Sequence, residues 1–326
     1  MRVTSRRTLL LAAAAGPALR PRPALAQDPW PARPVTVVSP FAPGGAADVL
    51  TRPFAQYLSA EFGQPFVVES RPGAGGTIAH AHAARSRPDG YTLLLSSNST
   101  YAIARHLYQL TYDPDAAFAP IALLARTPQV MCVAGALPAT TLAEFMALVR
   151  AAPGRYGFGS AGIGFSSHLA AELFLAMAGL SMLHVPYRGG GAASQALLTN
   201  EVQLNFADAP SALSVLQGGG ARALAVSTRR RAPVLPTVPT LDEAGLPGYE
   251  SSTDYAFVAP AGVPEPILSR LTECSLAYVR LPERRGAIEA AGFLPDGRPP
   301  EEFRRLAAED SAKWGATIRE RGIRVQ

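Results

Sequence analysis

The chain alternates short β-branched runs with longer amphipathic stretches. Residues 35–39 (VTVVS) form such a run, closed by Pro40 and the Gly44-Gly45 pair, and 46–62 reads as a helix ended by Gly63. A second strand is predicted at 66–69, a helix at 77–86 and a third strand at 91–96, with Arg71-Pro72-Gly73 and Asp89-Gly90 as the punctuation. The rhythm restarts after Ala119. Residues 121–134 read as one extended stretch, and Thr141-Leu142-Ala143-Glu144 is a capping box opening a helix to Ala152. Strands follow at 156–160, 184–186, 202–206 and 222–227, with helices at 166–178 and 192–198. After a further extended stretch at 256–259 come two amphipathic helices, 264–279 and 300–321. Strand-loop-helix alternation of this kind implies an α/β fold with parallel strands.

Composition changes the picture in one place. The 326 residues carry 30 Lys and Arg against 25 Asp and Glu, a formal charge of +5. Arg2, Arg6, Arg7, Arg20 and Arg22 all lie within the first 26 residues, which contain no acid, so the rest of the chain is neutral. The excess is a targeting signal and gives no reason to expect a nucleic-acid partner. A basic start, the apolar run 9–15 and Ala24-Leu25-Ala26 read as an export signal over 1–26. Ser5-Arg6-Arg7-Thr8-Leu9-Leu10 adds a twin-arginine pattern and hence a periplasmic address. The apolar run is shorter than the ~20 residues that span a bilayer, so the mature chain is expected not to cross a membrane. Cys132 and Cys274 stand alone, 142 positions apart, and read as free thiols.

Two Gly-rich turns hold the candidate chemistry. Each of 39–48 (SPFAPGGAAD) and 160–168 (SAGIGFSSH) follows a strand and opens a helix. Free N–H groups and the helix dipole favour an anion at such a place, and glycine lets the backbone approach it. Neither turn contains Lys or Arg, and Lys313 is the only lysine in the chain. An anion here would be held by amides, hydroxyls and water. Hydrogen bonds to a charged group contribute about 1.5–3 kcal/mol each. Four of them compare well with the roughly 8 kcal/mol that micromolar binding needs. A Walker pattern and a complete Gly-x-Ser-x-Gly elbow are both absent, Ser166 and Ser167 read as helix caps rather than nucleophiles, and no metal or cofactor is expected. Asp48 and Arg52, at i and i+4, read as a helix-stabilising pair, with Asp48 alternatively ordering a water at the loop mouth.

Seven ordered segments carry a family resemblance. They are VSPFAPGGAAD at 38–48, RPGAGGT at 71–77, PDGYTL at 88–93, SAGIG at 160–164 with His168-Leu169, VPYRGG at 185–190, LPTVPTLDEAG at 235–245 and APAG at 259–262. The chain resembles the periplasmic substrate-binding receptors of tripartite tricarboxylate transporters, the Bug receptors. The resemblance implies a two-lobed periplasmic-binding-protein fold, venus-flytrap and type II-like, with a ligand cleft between the lobes. The expected partition is 27–126 in the first lobe, 127–252 in the second and 253–326 returning to the first. It implies Phe41, Ala42, Gly44, Gly45 and Asp48 on one side of the cleft and Ser160, Ala161, Gly162, Gly164, Ser166 and His168 on the other. Ser97, Ser99 and Asp208, each after a predicted strand, are added candidates. The implied partners are a small carboxylate and integral-membrane transporter subunits, with the receptor itself a monomer. Phe165 departs from the family, where a small hydroxyl residue is common, and Tyr255 replaces a frequent Trp. A bulky ring at 165 would favour an aromatic or short apolar-bodied carboxylate over citrate. A sensor subunit and a serine hydrolase are the alternative classes.

Overall fold

A computed structural model describes residues 30–325, so the export-signal reading at 1–26 lies outside the described residues. The alternation resolves into two sheets. The first contains β1 (Val35–Ser39), β2 (Phe66–Ser70), β3 (Thr92–Ser96), β4 (Phe118–Thr127), β10 (Thr253–Pro260) and β11 (Leu294–Arg298), ordered β11-β4-β10-β3-β1-β2. The second contains β5 (Gln129–Ala134), β6 (Gly157–Ser160), β7 (Leu183–Pro186), β8 (Leu204–Asp208) and β9 (Ala221–Val226), ordered β7-β6-β8-β5-β9. β1 pairs in parallel with β2 and β3, as β6 does with β7 and β8. The strand that enters each sheet from the other, β10 or β5, runs antiparallel to its neighbours. Each sheet is the centre of one lobe.

Helices cover both faces of each sheet. On one face of the first lie α1 (Ala46–Phe62) and α8 (Glu265–Arg280), where Phe54 packs 4.7 Å from Phe257 and 5.0 Å from Tyr278, centroid to centroid. α2 (Thr77–Ala84) takes the other face. In the second lobe α4 (Leu142–Ala151) and α5 (Ser166–Ala178) bury Phe145 and Phe174 against Phe158 and Phe206. α6 (Gly190–Leu198) and α7 (Ala209–Gln217) cover the opposite face through Leu197 and Val215. The α4 capping box forms as its sequence requires, Thr141 Oγ1 accepting from the Glu144 N–H. Cys132 is buried in the second lobe, Cys274 lies on α8, and both thiols are free.

The expected partition returns 253–326 to the first lobe, whereas α10 (Pro300–Arg321) packs on both. Its first turns place Phe303 and Leu306 against Val38, Leu94 and Leu123 of the first sheet. Further along, Trp314 and Ile318 bury against Leu169 of α5 and Ile103, and Arg321 pairs with Glu172 at 2.9 Å.

The expected stretch 121–134 breaks into β4 and β5 at Pro128, which has no N–H to give to a ladder. Here the chain changes sheets, and it returns at Ser251-Ser252 beside the first crossing. The two crossings are knotted by buried polar groups. The Gln129 N–H donates to Ser227 Oγ at 2.8 Å, Ser227 Oγ donates to the Ser251 carbonyl at 2.7 Å, and Ser251 Oγ donates to Gln129 Oε1 at 2.8 Å. Next to them Asp254 is fully buried, accepting from Arg126 Nε, Ser252 Oγ and Tyr101 OH at 2.9 Å each.

Also outside the predicted elements are α7, α9 (Pro282–Ala290), β11 and a π-helical turn, Ser99–Ile103, leading into the short α3 (Ala104–Leu107). Removing one partner of a buried ion pair strands the other charge, at a cost of about 3–5 kcal/mol. Arg126→Met leaves Asp254 without its cation, and urea unfolding is expected to show a loss of about that size. A loss below about 1 kcal/mol would mean that Tyr101 and Ser252 suffice.

Candidate functional site

A cavity of about 870 Å³ opens between the lobes, and both Gly-rich turns line it. The head of α1 supplies Gly44, Gly45, Ala46 and Ala47. Gly44 adopts φ 82°, a left-handed conformation that a side chain would strain. No side chain caps this helix. The Asp48 N–H bonds back to the Gly45 carbonyl at 3.0 Å, which leaves the amides of Ala46 and Ala47, both cavity-lining residues, without intrahelical partners. α6 begins at the same cavity at Gly189 without a side-chain cap, and α5 begins there at Phe165, its first N–H accepted by Ser99 Oγ of the other lobe. Three helix heads thus direct partial positive charge at one space.

The candidate residues divide by position. Phe41, Ala42, Gly44, Gly45, Ala161, Gly162, Ser166 and Asp208 line the cavity. Asp48 supports from behind: Oδ2 accepts from the Gly44 N–H at 2.8 Å and pairs with Arg52 at 3.1 Å, so it closes the turn and holds its helix together. Ser160 sits beneath the second turn, accepting from the Gly162 N–H at 3.2 Å and bonded to His184 Nε2 at 2.7 Å. His168 is buried against His184 at 3.9 Å between ring centroids, and its Nδ1 accepts from the Gly164 N–H at 3.3 Å. Burial pushes His168 down to about 3, with help from His184, and His184 down to about 4, so both rings are neutral. They shape the turn instead of charging it.

Ser99 reaches across from the first lobe, its Oγ accepting from the Ser166 N–H at 3.0 Å. Ser97 is fully buried away from the cavity, and among the described residues its hydroxyl has no partner. The expectation that Ser166 or Ser167 caps α5 is corrected: Phe165 holds the cap position, and Ser167 Oγ instead accepts from the Ala161 N–H at 3.0 Å.

Other lining residues escape sequence reasoning. Tyr108 donates to the Ile163 carbonyl at 3.0 Å, tying the first lobe to the second turn. The strip 72–75, the 189–191 glycines, Thr253 and Tyr255 complete the wall. The aromatic rings gather on one side, with Phe41 5.9 Å from Phe165 and 6.0 Å from Tyr255. The RPGAGGT and VPYRGG motifs and the noted replacement at 255 hinted at some of these. Among the described residues the cavity is lined by one basic side chain, the exposed Arg188, and one acidic, Asp208. Burial raises Asp208 to about 6 against hydrogen bonds from Thr253 Oγ1 at 2.7 Å and Tyr255 OH at 2.8 Å, leaving it ionised at neutral pH.

Comparison with known proteins agrees with this geometry. A family model described as "Tripartite tricarboxylate transporter family receptor" matches residues 50–323. Protein BugT of Bordetella pertussis is 33% identical over 301 residues, covering 92% of each chain. Two solved structures from Rhodopseudomonas palustris are similar throughout. Rpa4515 with adipate has a TM-score of 0.88 at 34% identity over 90% of this chain and 99% of that one. MatC with bound malate has 0.83 at 32%, over 89% and 100%. With two sheets, a cleft between them and a family match over most of its length, the chain belongs to the tripartite tricarboxylate transporter receptors, a family of solute-binding proteins and not of enzymes.

Proposed function

We propose that this protein captures a small carboxylate between its lobes in the periplasm and delivers it to the integral-membrane subunits of a tripartite tricarboxylate transporter. The observation that carries the reading is the convergence of three helix heads, α1, α5 and α6, on one cavity that is lined, among the described residues, by a single arginine. Main-chain amides can bind a carboxylate without lysine, and three or four such bonds are of the right size for micromolar affinity. The ligand-bound relatives support the same class, since one holds adipate and the other malate. The sites proposed for ligand contact are the cavity-lining members of the two turns together with Asp208. Asp48, Ser160, Gly164, His168 and Ser99 fix the shape of those turns. In this reading the mature chain works as a monomer without a cofactor, after export of the precursor by the twin-arginine route.

Phe165 sets the size of the ligand in this proposal. Its ring and that of Phe41 occupy cavity wall beside the second turn, which favours a flat or slender apolar body. Isothermal titration of mature protein with mono-, di- and tricarboxylates tests both levels. Saturable binding without turnover is expected, with an aromatic monocarboxylate ahead of citrate, and Phe165→Ser is expected to shift that ratio towards citrate by about tenfold. Absence of any carboxylate binding removes the function, while citrate outcompeting aromatic acids removes the role of Phe165.

Gly162 has φ 133°, and a Cβ there would lie 3.1 Å from the Phe165 ring. Gly162→Ala therefore strains the turn, at about 1–3 kcal/mol, and a loss of carboxylate affinity of at least about fivefold is expected from the same titration. For export, replacing Arg6 and Arg7 together by Lys is expected to trap precursor in the cytoplasm, read by fractionation and immunoblotting. Normal export of that variant would assign the signal to the Sec route.

A further inference from the structure

One wall of the cavity has a hydrogen-bond polarity that narrows the ligand class. Asp208 heads α7 at the end of β8, and each of its carboxylate oxygens accepts one bond, Oδ1 from Thr253 Oγ1 and Oδ2 from Tyr255 OH. Thr253 has then spent its only hydroxyl proton. The 2.7 Å contact between Ser166 Oγ and Thr253 Oγ1 must be made by the Ser166 proton. Ser166, Thr253 and Tyr255 all lie on the cavity wall, and all three hydroxyl protons run towards Asp208. What these three hydroxyls can still offer a ligand is lone pairs, and the side-chain donors left beside Asp208 are those of Asn205 and Ser211. A carboxylate has roughly four acceptor positions, and Asp208 has two of them committed. Donors lie elsewhere on the cavity wall, in the amides of the α1 head and the guanidinium of Arg188, which has no acidic partner among the described residues.

Resting on the carboxylate-receptor reading, we infer that the cognate ligand carries a carboxylate at one end only and a hydrogen-bond donor, a hydroxyl or an ammonium, at the other, received by Asp208. A second carboxylate placed there would meet a negative charge in a half-buried site where water screens it poorly. It would also find the Ser166, Thr253 and Tyr255 hydroxyl protons already committed. Hydrogen bonds to a charged acceptor are among the stronger ones, so the discrimination is large enough to measure.

The test uses matched bodies that differ only at the far end. Mature wild-type protein is titrated calorimetrically with 6-hydroxyhexanoate, 6-aminohexanoate and adipate, and with 4-hydroxybenzoate and terephthalate. On whichever body binds, the donor-bearing acid is expected to bind at least about tenfold more tightly than the dicarboxylate. Asp208→Asn is expected to narrow that ratio by about tenfold, mainly by improving the dicarboxylate. If the wild type binds dicarboxylates as well as or better than their donor-bearing partners, or if Asp208→Asn leaves the ratio unchanged, the inference falls and the carboxylate reading stands. If no member of either series binds, and none of the wider set of carboxylates does, both fall together. The wild-type ratio decides the matter even where the variant folds poorly.

Discussion

The double crossing between the sheets is the constraint from which the rest of the architecture follows. Pro128 ends one ladder and Gln129 begins the other, while Ser251-Ser252 brings the chain back alongside. Two strands passing this close without sheet pairing would leave buried amides and carbonyls unmatched, a heavy cost in a dry interior. Gln129, Ser227 and Ser251 remove that cost by bonding to one another. The crossing fixes where the lobes meet, and hence where β10 presents Thr253 and Tyr255 to the cavity. Asp208, at the end of a strand in the other lobe, finds its partners only because of that placement.

The cavity solves an electrostatic problem with little net charge. Beyond its basic N-terminus the chain has as many acids as bases, and no bulk field draws anions to it. Attraction arises from aligned peptide dipoles at close range, where a low dielectric strengthens them. Such a device is insensitive to side-chain protonation at one pole, since amides do not titrate. The neutral histidines behind the second turn extend this economy: His168 and His184 provide rigidity and a hydrogen-bond acceptor while adding no charge.

What was legible in the sequence was local. The helix 46–62 ends where Gly63 permits a left-handed residue, and 166–178 ends at Gly179 for the same reason, so both were delimited from their own residues. The two turns were legible because glycine between a β-branched run and a helix has few structural explanations. β11 was not, because Leu-Pro-Asp-Gly-Arg reads as a turn and becomes a strand only by lying against β4. α7 was hidden by Pro210 and by small residues without a clear period. Among site residues, Tyr108, Thr253 and Tyr255 lie far in sequence from the turns they adjoin, and only the closure of the lobes brings them there. His184 looked isolated for the same reason, since its partner Ser160 sits on a neighbouring strand 24 positions away.

The last helix carries a consequence for motion. With Phe303 and Leu306 seated on the first lobe and Trp314 and Ile318 against the second, α10 is a brace that any separation of the lobes has to strain. A brace of fixed length permits rotation about its own axis more cheaply than stretching along it. Separation by a pure gape would uncover Trp314 and break the Arg321–Glu172 pair, while a roll of one lobe past the other could keep the indole covered. The C-terminal helix would thereby bias the path of any opening, and not only hold the two lobes together.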